Sequence, residues 1–153
     1  VQRWGNARMG DIVHAVLAAA GNEGAAAAIR SLRPVFRAEP SFERGAAVVE
    51  RVFADPVCRR FFAVPRGTRV FTEQEITDTH GRTWRVDRML VHADAVDVVE
   101  FKTSAVDDPE QYRQVLRYRE LAAVLYPDRP VRAWIVHCPP DGDLRVEPVE
   151  GTP

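Results

Sequence analysis

Asp87, Glu100 and Lys102 are the residues whose types and spacing could do chemistry. The chain has 21 basic residues, and 20 of them are arginine; the single lysine is Lys102, in the segment Asp97-Val98-Val99-Glu100-Phe101-Lys102-Thr103. A lysine that survives such replacement marks a position where a compact ammonium with an adjustable pKa is needed, because a guanidinium is a planar fork that does not deprotonate. In an extended strand alternate side chains share a face, so Glu100 and Lys102 project together, ~6–7 Å apart along the chain. Asp87, on the preceding apolar run, reaches the same end if the two runs form a hairpin. Two carboxylates and one ammonium in one small volume suit a hard divalent cation, which takes oxygen ligands and neutralises charge on a phosphodiester. The competing reading is a cross-strand salt bridge on a solvated face. The apolar neighbours Val98, Val99 and Phe101 argue for burial, where a carboxylate and an ammonium are costly unless paired or used.

The elements that must position these residues follow from hydrophobic period. Ile12, Val13, Val16, Leu17 and Ala20 recur at helical spacing, with a stop at Gly21-Asn22-Glu23-Gly24. An alanine-rich helix follows to about Leu32, before Pro34. Ser41 is expected to cap a helix carrying Phe42, Ala46, Val49 and Phe53, and Asp55-Pro56 to open a short helix through Phe62. After Pro65-Arg66-Gly67 the period becomes two: strands are expected at 70–77, 83–92 and 97–103, with a turn at Asp78-Thr79-His80-Gly81. Pro109 opens a helix to about Leu125, Val131–His137 is an apolar internal strand, and 144–149 is a short edge strand. The chain therefore reads as one α/β domain over 1–153, mainly helical over 1–64, with a mixed sheet of four or five strands and one long helix over 65–150.

Composition narrows the alternatives. Apolar residues make up 46% and charged residues 28%, as in a globular protein, and the net charge of -1 announces no global basic field. Cys58 and Cys138 form no metal-binding spacing and read as buried free thiols of a reducing cytoplasm. No stretch approaches the ~20 apolar residues of a membrane span, and no signal-peptide pattern is present. A start at Val1 suggests a piece of a larger protein. His80, His92 and His137 read as turn or strand-surface residues, and Asp94 and Asp97 as a solvent-exposed connection. Arginines 59, 60, 66, 69, 82, 85 and 88 are candidates for a phosphate-tracking surface, or simply a solvated face.

Five segments share an order and spacing: Gly10-Asp11-Ile12-Val13-His14, Glu75-Ile76, Val86-Asp87-Arg88, Val98-Val99-Glu100-Phe101-Lys102-Thr103, and Gln114-Val115-Leu116-Arg117-Tyr118. Together they resemble the nuclease domain of RecB and AddA, helicase–nuclease subunits of the PD-(D/E)XK superfamily, over about residues 8 to 137. The family pattern is a Gly-x-x-x-His helix, an acidic strand residue, an Asp-Arg pair, an Asp/Glu-x-Lys-Thr strand and a Gln-x-x-x-Tyr helix. The resemblance implies a restriction-endonuclease-like core. It also implies magnesium or manganese held by His14, Asp87, Glu100 and the carbonyl of Phe101, with Lys102 as catalytic lysine. Gln114 and Tyr118 would line the site on the DNA side, and Glu75 would support it, although Glu73 is an equally plausible neighbour. Without the resemblance, His14 reads as a core or boundary histidine, and Gln114 and Tyr118 as helix surface or packing residues that share a face. The iron–sulfur branch of the family is excluded, since it needs four cysteines.

The implied function is a magnesium- or manganese-dependent deoxyribonuclease, acting as an exonuclease on DNA ends in recombinational repair. Its partners would be DNA, the helicase portion of a parent chain and a second helicase–nuclease subunit, in the cytoplasm and with no membrane. Two alternatives stand beside it: a free-standing nuclease of restriction or phage type, and a silent DNA-binding module. The silent module would be expected to lack Asp87, Glu100 or Lys102, and all three are present.

Overall fold

A computed structural model describes the backbone of residues 2–21 and 24–151 and the side chains of 8–21 and 24–151. Asn22 and Glu23 of the expected helix stop lie outside the described residues. Helices α1 (Gln2–Ala20), α2 (Ala25–Leu32) and α3 (Phe42–Ala54) come first, followed by a 3-10 turn (Cys58–Phe61). Strands β1 (Arg69–Thr77), β2 (Thr83–Val91) and β3 (Val96–Lys102) precede α4 (Pro109–Leu125), and β4 (Val131–His137) and β5 (Arg145–Pro148) complete the order.

The five strands form one mixed sheet in the order β1-β2-β3-β4-β5. The first three make an antiparallel meander, β4 lies parallel to β3, and β5 is antiparallel at the edge. A parallel neighbour requires a crossover, and α4 supplies it. Strand alternation divides the core. Leu90, Val99, Phe101 and Val136 pack with Ile12, Val13 and Val49 of α1 and α3. Met89, Val98 and Ile135 pack on the opposite face with Val115, Tyr118 and Ala122 of α4. The result is a sheet with helices on both faces, as expected for this fold class.

Local chemistry explains the boundaries. Asp108 caps α4 by accepting the Glu110 amide at 2.9 Å, and Pro109 occupies the first helical position. Ser41 stands before α3 but makes no side-chain cap bond. The expected helix after Pro56 is only a 3-10 turn, because Asp55 Oδ1 accepts both the Val57 and Cys58 amides at 2.9 Å and tightens that turn. A tight reversal, with the His92 amide on the Ala95 carbonyl at 2.9 Å, starts β3 one residue earlier than expected. Cys58 and Cys138 are buried free thiols, pushed up to about 12 chiefly by burial.

Helix α3 crosses α1 at Gly45, where an added Cβ would lie 2.8 Å from Ile12 Cγ2. Gly45→Ala is therefore expected to destabilise the protein by roughly 1–3 kcal/mol through overpacking. Urea unfolding checks it, as a lower midpoint with an unchanged slope.

Several polar residues expected at the surface are inside. Asp97 is buried, accepting Arg132 through both oxygens at 2.7 Å, Trp134 Nε1 at 2.9 Å and His92 Nε2 at 2.9 Å. Burial alone would raise its pKa, but the Arg132 and Trp134 bonds outweigh this and hold the carboxyl below its usual value. His137 is also buried, with Nε2 2.8 Å from Glu147 Oε2. Arg88 lies in the core rather than on a phosphate-facing surface. Its Nε donates to Phe61 O at 2.8 Å, its Nη2 to Gly21 O at 3.0 Å, and its guanidinium lies over the Phe62 ring. Burial lowers its pKa to about 10. The residue beside Asp87 thus ties β2 to the N-terminal helices. Arg59, Arg60, Arg66, Arg69, Arg82 and Arg85 are exposed.

Candidate active site

The site lies where β2 and β3 part. Their ladder ends at Arg88 and Val99, while β3 continues to Lys102 paired with β4 alone. The Phe101 backbone, left without a β2 partner, must find others. Its amide donates to Asp87 Oδ2 at 2.8 Å, and its carbonyl accepts from His14 Nε2 at 2.9 Å. The same imidazole nitrogen is 3.2 Å from Asp87 Oδ2. One carboxylate oxygen, one carbonyl oxygen and one ring nitrogen therefore converge in the fork. Gly10, one turn before His14, lets α1 approach closely, since a Cβ there would come within 3.1 Å of Thr103 Oγ1.

Glu100 stands beside this fork on the α4 side, with 5% exposure in a strand buried along most of its length. Lys102 Nζ donates to Glu100 Oε1 at 2.8 Å and to Gln114 Oε1 at 3.3 Å. Gln114 Nε2 in turn donates to Tyr118 OH at 2.7 Å. Spacing along β3 and α4 thus becomes a chain of contacts, Glu100–Lys102–Gln114–Tyr118. Tyr118 does not face an open substrate surface: it is buried, edge-on to Trp84, and its role here is to fix Gln114. Burial, then the charges of Glu100 and Asp87, push the Tyr118 phenol well up.

Electrostatics report an excess of negative charge. Burial, then the nearby Asp87 carboxylate, push Glu100 up to about 7, outweighing the opposing influence of Lys102 and His14. For His14 burial works downward, but the Asp87 hydrogen bond and charge, with the Phe101 carbonyl, win and raise it to about 9. The cluster holds protons where it needs positive charge. Glu100 Oε2 is buried and has no hydrogen-bond partner among the described residues. A buried carboxylate oxygen with no donor is unusual and calls for an explanation.

This donor set fits a hard divalent cation. Oxygens from Asp87, Glu100 and Phe101 with one imidazole from His14 are ligands that magnesium or manganese accept. A cation would replace the proton on His14 Nε2 and satisfy Glu100 Oε2. As the side chains stand, no group of three or more His, Cys, Asp or Glu among the described residues is placed to hold a metal ion, so the expected trio of His14, Asp87 and Glu100 is not assembled as a side-chain site. The arrangement is His14 and Asp87 around a backbone carbonyl, with Glu100 drawn toward Lys102.

The structure does not bring Glu75 to this cluster. That residue is exposed and lies opposite Arg85. Glu73 is the acidic residue of β1 that lines the cleft with His14, Thr72, Asp87 and Phe101. The register of the flanking pairs, Thr72 with Arg88 and Gln74 with Val86, sets Glu73 opposite Asp87. Glu73 has a φ of 52°, a left-handed backbone that a glutamate rarely adopts, and its carboxylate pairs with Arg85 Nε at 2.8 Å. Arg85 neutralises Glu73, so the negative charge that a cation would balance is that of Asp87 and Glu100. The place of Glu73 depends on strand register, which the local sequence does not display; the one available signal was its equal plausibility beside Glu75.

No family model matches this chain, and no curated protein matches it. A solved structure does: the crystal structure of a candidate exonuclease from Eubacterium rectale superimposes with a TM-score of 0.61 at 12% identity, over 95% of this chain and 59% of that one. This likeness establishes the fold, a five-stranded mixed sheet flanked by helices. The chain spans 59% of the length of that protein.

Proposed function

We propose that this chain is a metal-dependent DNA nuclease of the PD-(D/E)XK type. The observation that carries the reading is the buried Glu100 Oε2, without a hydrogen-bond partner among the described residues, beside the fork where Asp87, His14 Nε2 and the Phe101 carbonyl converge, with the single lysine on its other oxygen. The order of the sequence motifs and the fold shared with a candidate exonuclease support it.

Asp87, Glu100, His14 and the carbonyl of Phe101 would hold magnesium or manganese. Bound there, the cation supplies positive charge against the phosphodiester under attack. Asp87 has a second task visible in its bond to the Phe101 amide: it fixes the carbonyl of the same residue toward the fork. Lys102 presents an ammonium beside Glu100, where it orients the attacking water and offsets charge gathering on the phosphoryl oxygens. Gln114, held by Tyr118, keeps that ammonium from swinging away. In biological setting we place the domain within a RecB/AddA-like helicase–nuclease that trims DNA ends during recombinational repair. Its partners there are DNA, the motor portion of the parent chain and a second subunit, and digestion is exonucleolytic. Among the described residues no helix is long and apolar enough to cross a membrane.

Linear DNA incubated with the protein tests this reading. Cleavage is expected with magnesium or manganese and none with EDTA; a wild type that cuts no DNA under either condition refutes it. His14→Ala is expected to weaken metal binding rather than abolish chemistry. Loss of one ligand should raise the metal concentration for half-maximal cleavage by roughly 10–100-fold, with rates recovering at high manganese.

A further inference from the structure

A cavity of about 420 Å³ opens beside the proposed catalytic centre, between the first turns of α4 and the ends of β4 and β5. His137 on β4 is the register partner of Lys102 on β3, so the cavity begins one strand, ~4.8 Å, from the catalytic lysine. Gln111, another lining residue, lies one helical turn before Gln114, the residue that holds Lys102. A volume of this size lies within the range of small-molecule pockets. It accommodates one nucleoside, not a helix or a second strand.

The lining has the character of a base-binding slot. Ile135 gives an apolar floor and Tyr112 an aromatic wall, while Gln111, His137 and Glu147 place hydrogen-bonding groups at the edge. These parts are fixed in advance. Tyr112 OH donates to Glu150 O at 2.8 Å and accepts from Glu150 N at 3.2 Å, which anchors the ring. Glu147 Oε2 is held by His137 Nε2 at 2.8 Å and by Arg145 Nη1 at 3.1 Å. Asp107, Asp108 and Glu147 put three carboxylates on the wall; Arg145 pairs with Asp107 and Glu147, and Arg113, the one cation of the lining, pairs with Glu110, so the balance stays negative. That balance repels phosphate and admits an uncharged ring, whose faces stack on aromatics and whose amino groups donate to carboxylates.

We infer that this cavity is a nucleobase subsite, taking the base of a nucleotide that flanks the scissile phosphate in a single strand. The inference rests on the proposed nuclease reading and specifies its substrate as a strand with unstacked bases. A duplex end would have to fray at this point before the flanking base enters the slot.

Equilibrium binding tests it without cleavage. A fluorescein-labelled ten-residue deoxycytidine strand and a matched strand of abasic residues are titrated with the protein by anisotropy. Calcium replaces magnesium, because its looser oxygen shell lacks the octahedral geometry of magnesium. The wild type is expected to prefer the base-bearing strand by about tenfold, given the usual worth of one stacked base. Tyr112→Ala and Gln111→Trp, the second filling the slot from a half-exposed helix position, should bring that ratio close to one while leaving the abasic strand bound as before. Tyr112→Phe, which keeps the ring and loses the tie to Glu150, should retain the preference. A wild type that binds both strands equally, or a preference that survives both Tyr112→Ala and Gln111→Trp, overturns the subsite alone. A wild type that binds neither strand overturns the subsite and counts against the nuclease reading as well.

Discussion

Lys102→Ala is expected to lower DNA cleavage by about a thousandfold, the scale seen when a charge-stabilising donor is removed from a phosphoryl or acyl transfer site. The ammonium is held at one point by Glu100 Oε1 at 2.8 Å and Gln114 Oε1 at 3.3 Å, so its loss removes a fixed charge and not a mobile surface group. Lys102→Arg is expected to recover little of this. The guanidinium is larger and planar, it keeps its proton, and the slot between Glu100 and Gln114 is shaped for a point charge. Twenty arginines elsewhere in the chain show that arginine is well tolerated by this protein, which makes the failure of arginine at 102 informative. Single-turnover cleavage of linear DNA, with metal at saturation, measures the effect. A far-ultraviolet spectrum matching the wild type assigns the loss to chemistry rather than folding.

The second large effect is on stability and its dependence on pH and metal. Glu100 is raised from 4.5 to about 7, and His14 from 6.5 to about 9. In both cases the folded state holds protons the unfolded state has released, so stability falls as pH rises. For Glu100 the stabilising contribution is full below pH 4.5 and is lost as pH climbs through 7. For His14 it is full below 6.5 and is lost through 9. Metal-free protein is therefore expected to weaken steadily from pH 5 to 9 as repulsion between Asp87 and Glu100 is uncovered. Glu100→Gln removes the lower part of that slope. At pH 8 it should make the metal-free protein more stable by on the order of 1–3 kcal/mol, since a tenfold change in a protonation equilibrium is worth about 1.4 kcal/mol. Manganese should raise the wild-type melting temperature more at pH 8 than at pH 5, because it no longer competes with those protons. In Glu100→Gln that gain should shrink at both values. Denaturant melts at stepped pH, with and without manganese, read both trends.

How much of this was legible in the sequence depends on how local each cause is. Pro109 after Asp108 marked the start of α4, and the apolar run 131–137 marked β4, because capping and strand burial are properties of adjacent residues. The apolar residues around Glu100 foretold its burial for the same reason. The places where expectation failed are set by partners distant in the chain. Asp97 reads as a polar connection until Arg132 and Trp134 arrive from β4, and His92 from the reversal after β2, to neutralise and enclose it. His137 reads as strand surface until β5 brings Glu147. Arg88 joins an expected phosphate surface only if the helices are ignored; packed against them, it meets the carbonyls of Phe61 and Gly21. Glu73 rather than Glu75 borders the cleft because a left-handed residue in β1 faces Asp87 in register, and neither register nor φ is written in a local pattern. Tyr118 kept its helical partnership with Gln114 yet turned inward, because the long packing face of α4 covers it against Trp84.

The central claim is that Asp87, Glu100, His14 and Phe101 hold a divalent cation on which DNA cleavage depends. Titrating metal-stripped protein with manganese at pH 8, following bound manganese by its electron-spin signal and cleavage of linear DNA in the same samples, tests it directly. The account predicts that cleavage rises in step with saturable manganese binding in the wild type, and that Asp87→Ala loses both. Cleavage that persists in EDTA, or manganese binding and cleavage that survive unchanged in Asp87→Ala, would contradict it.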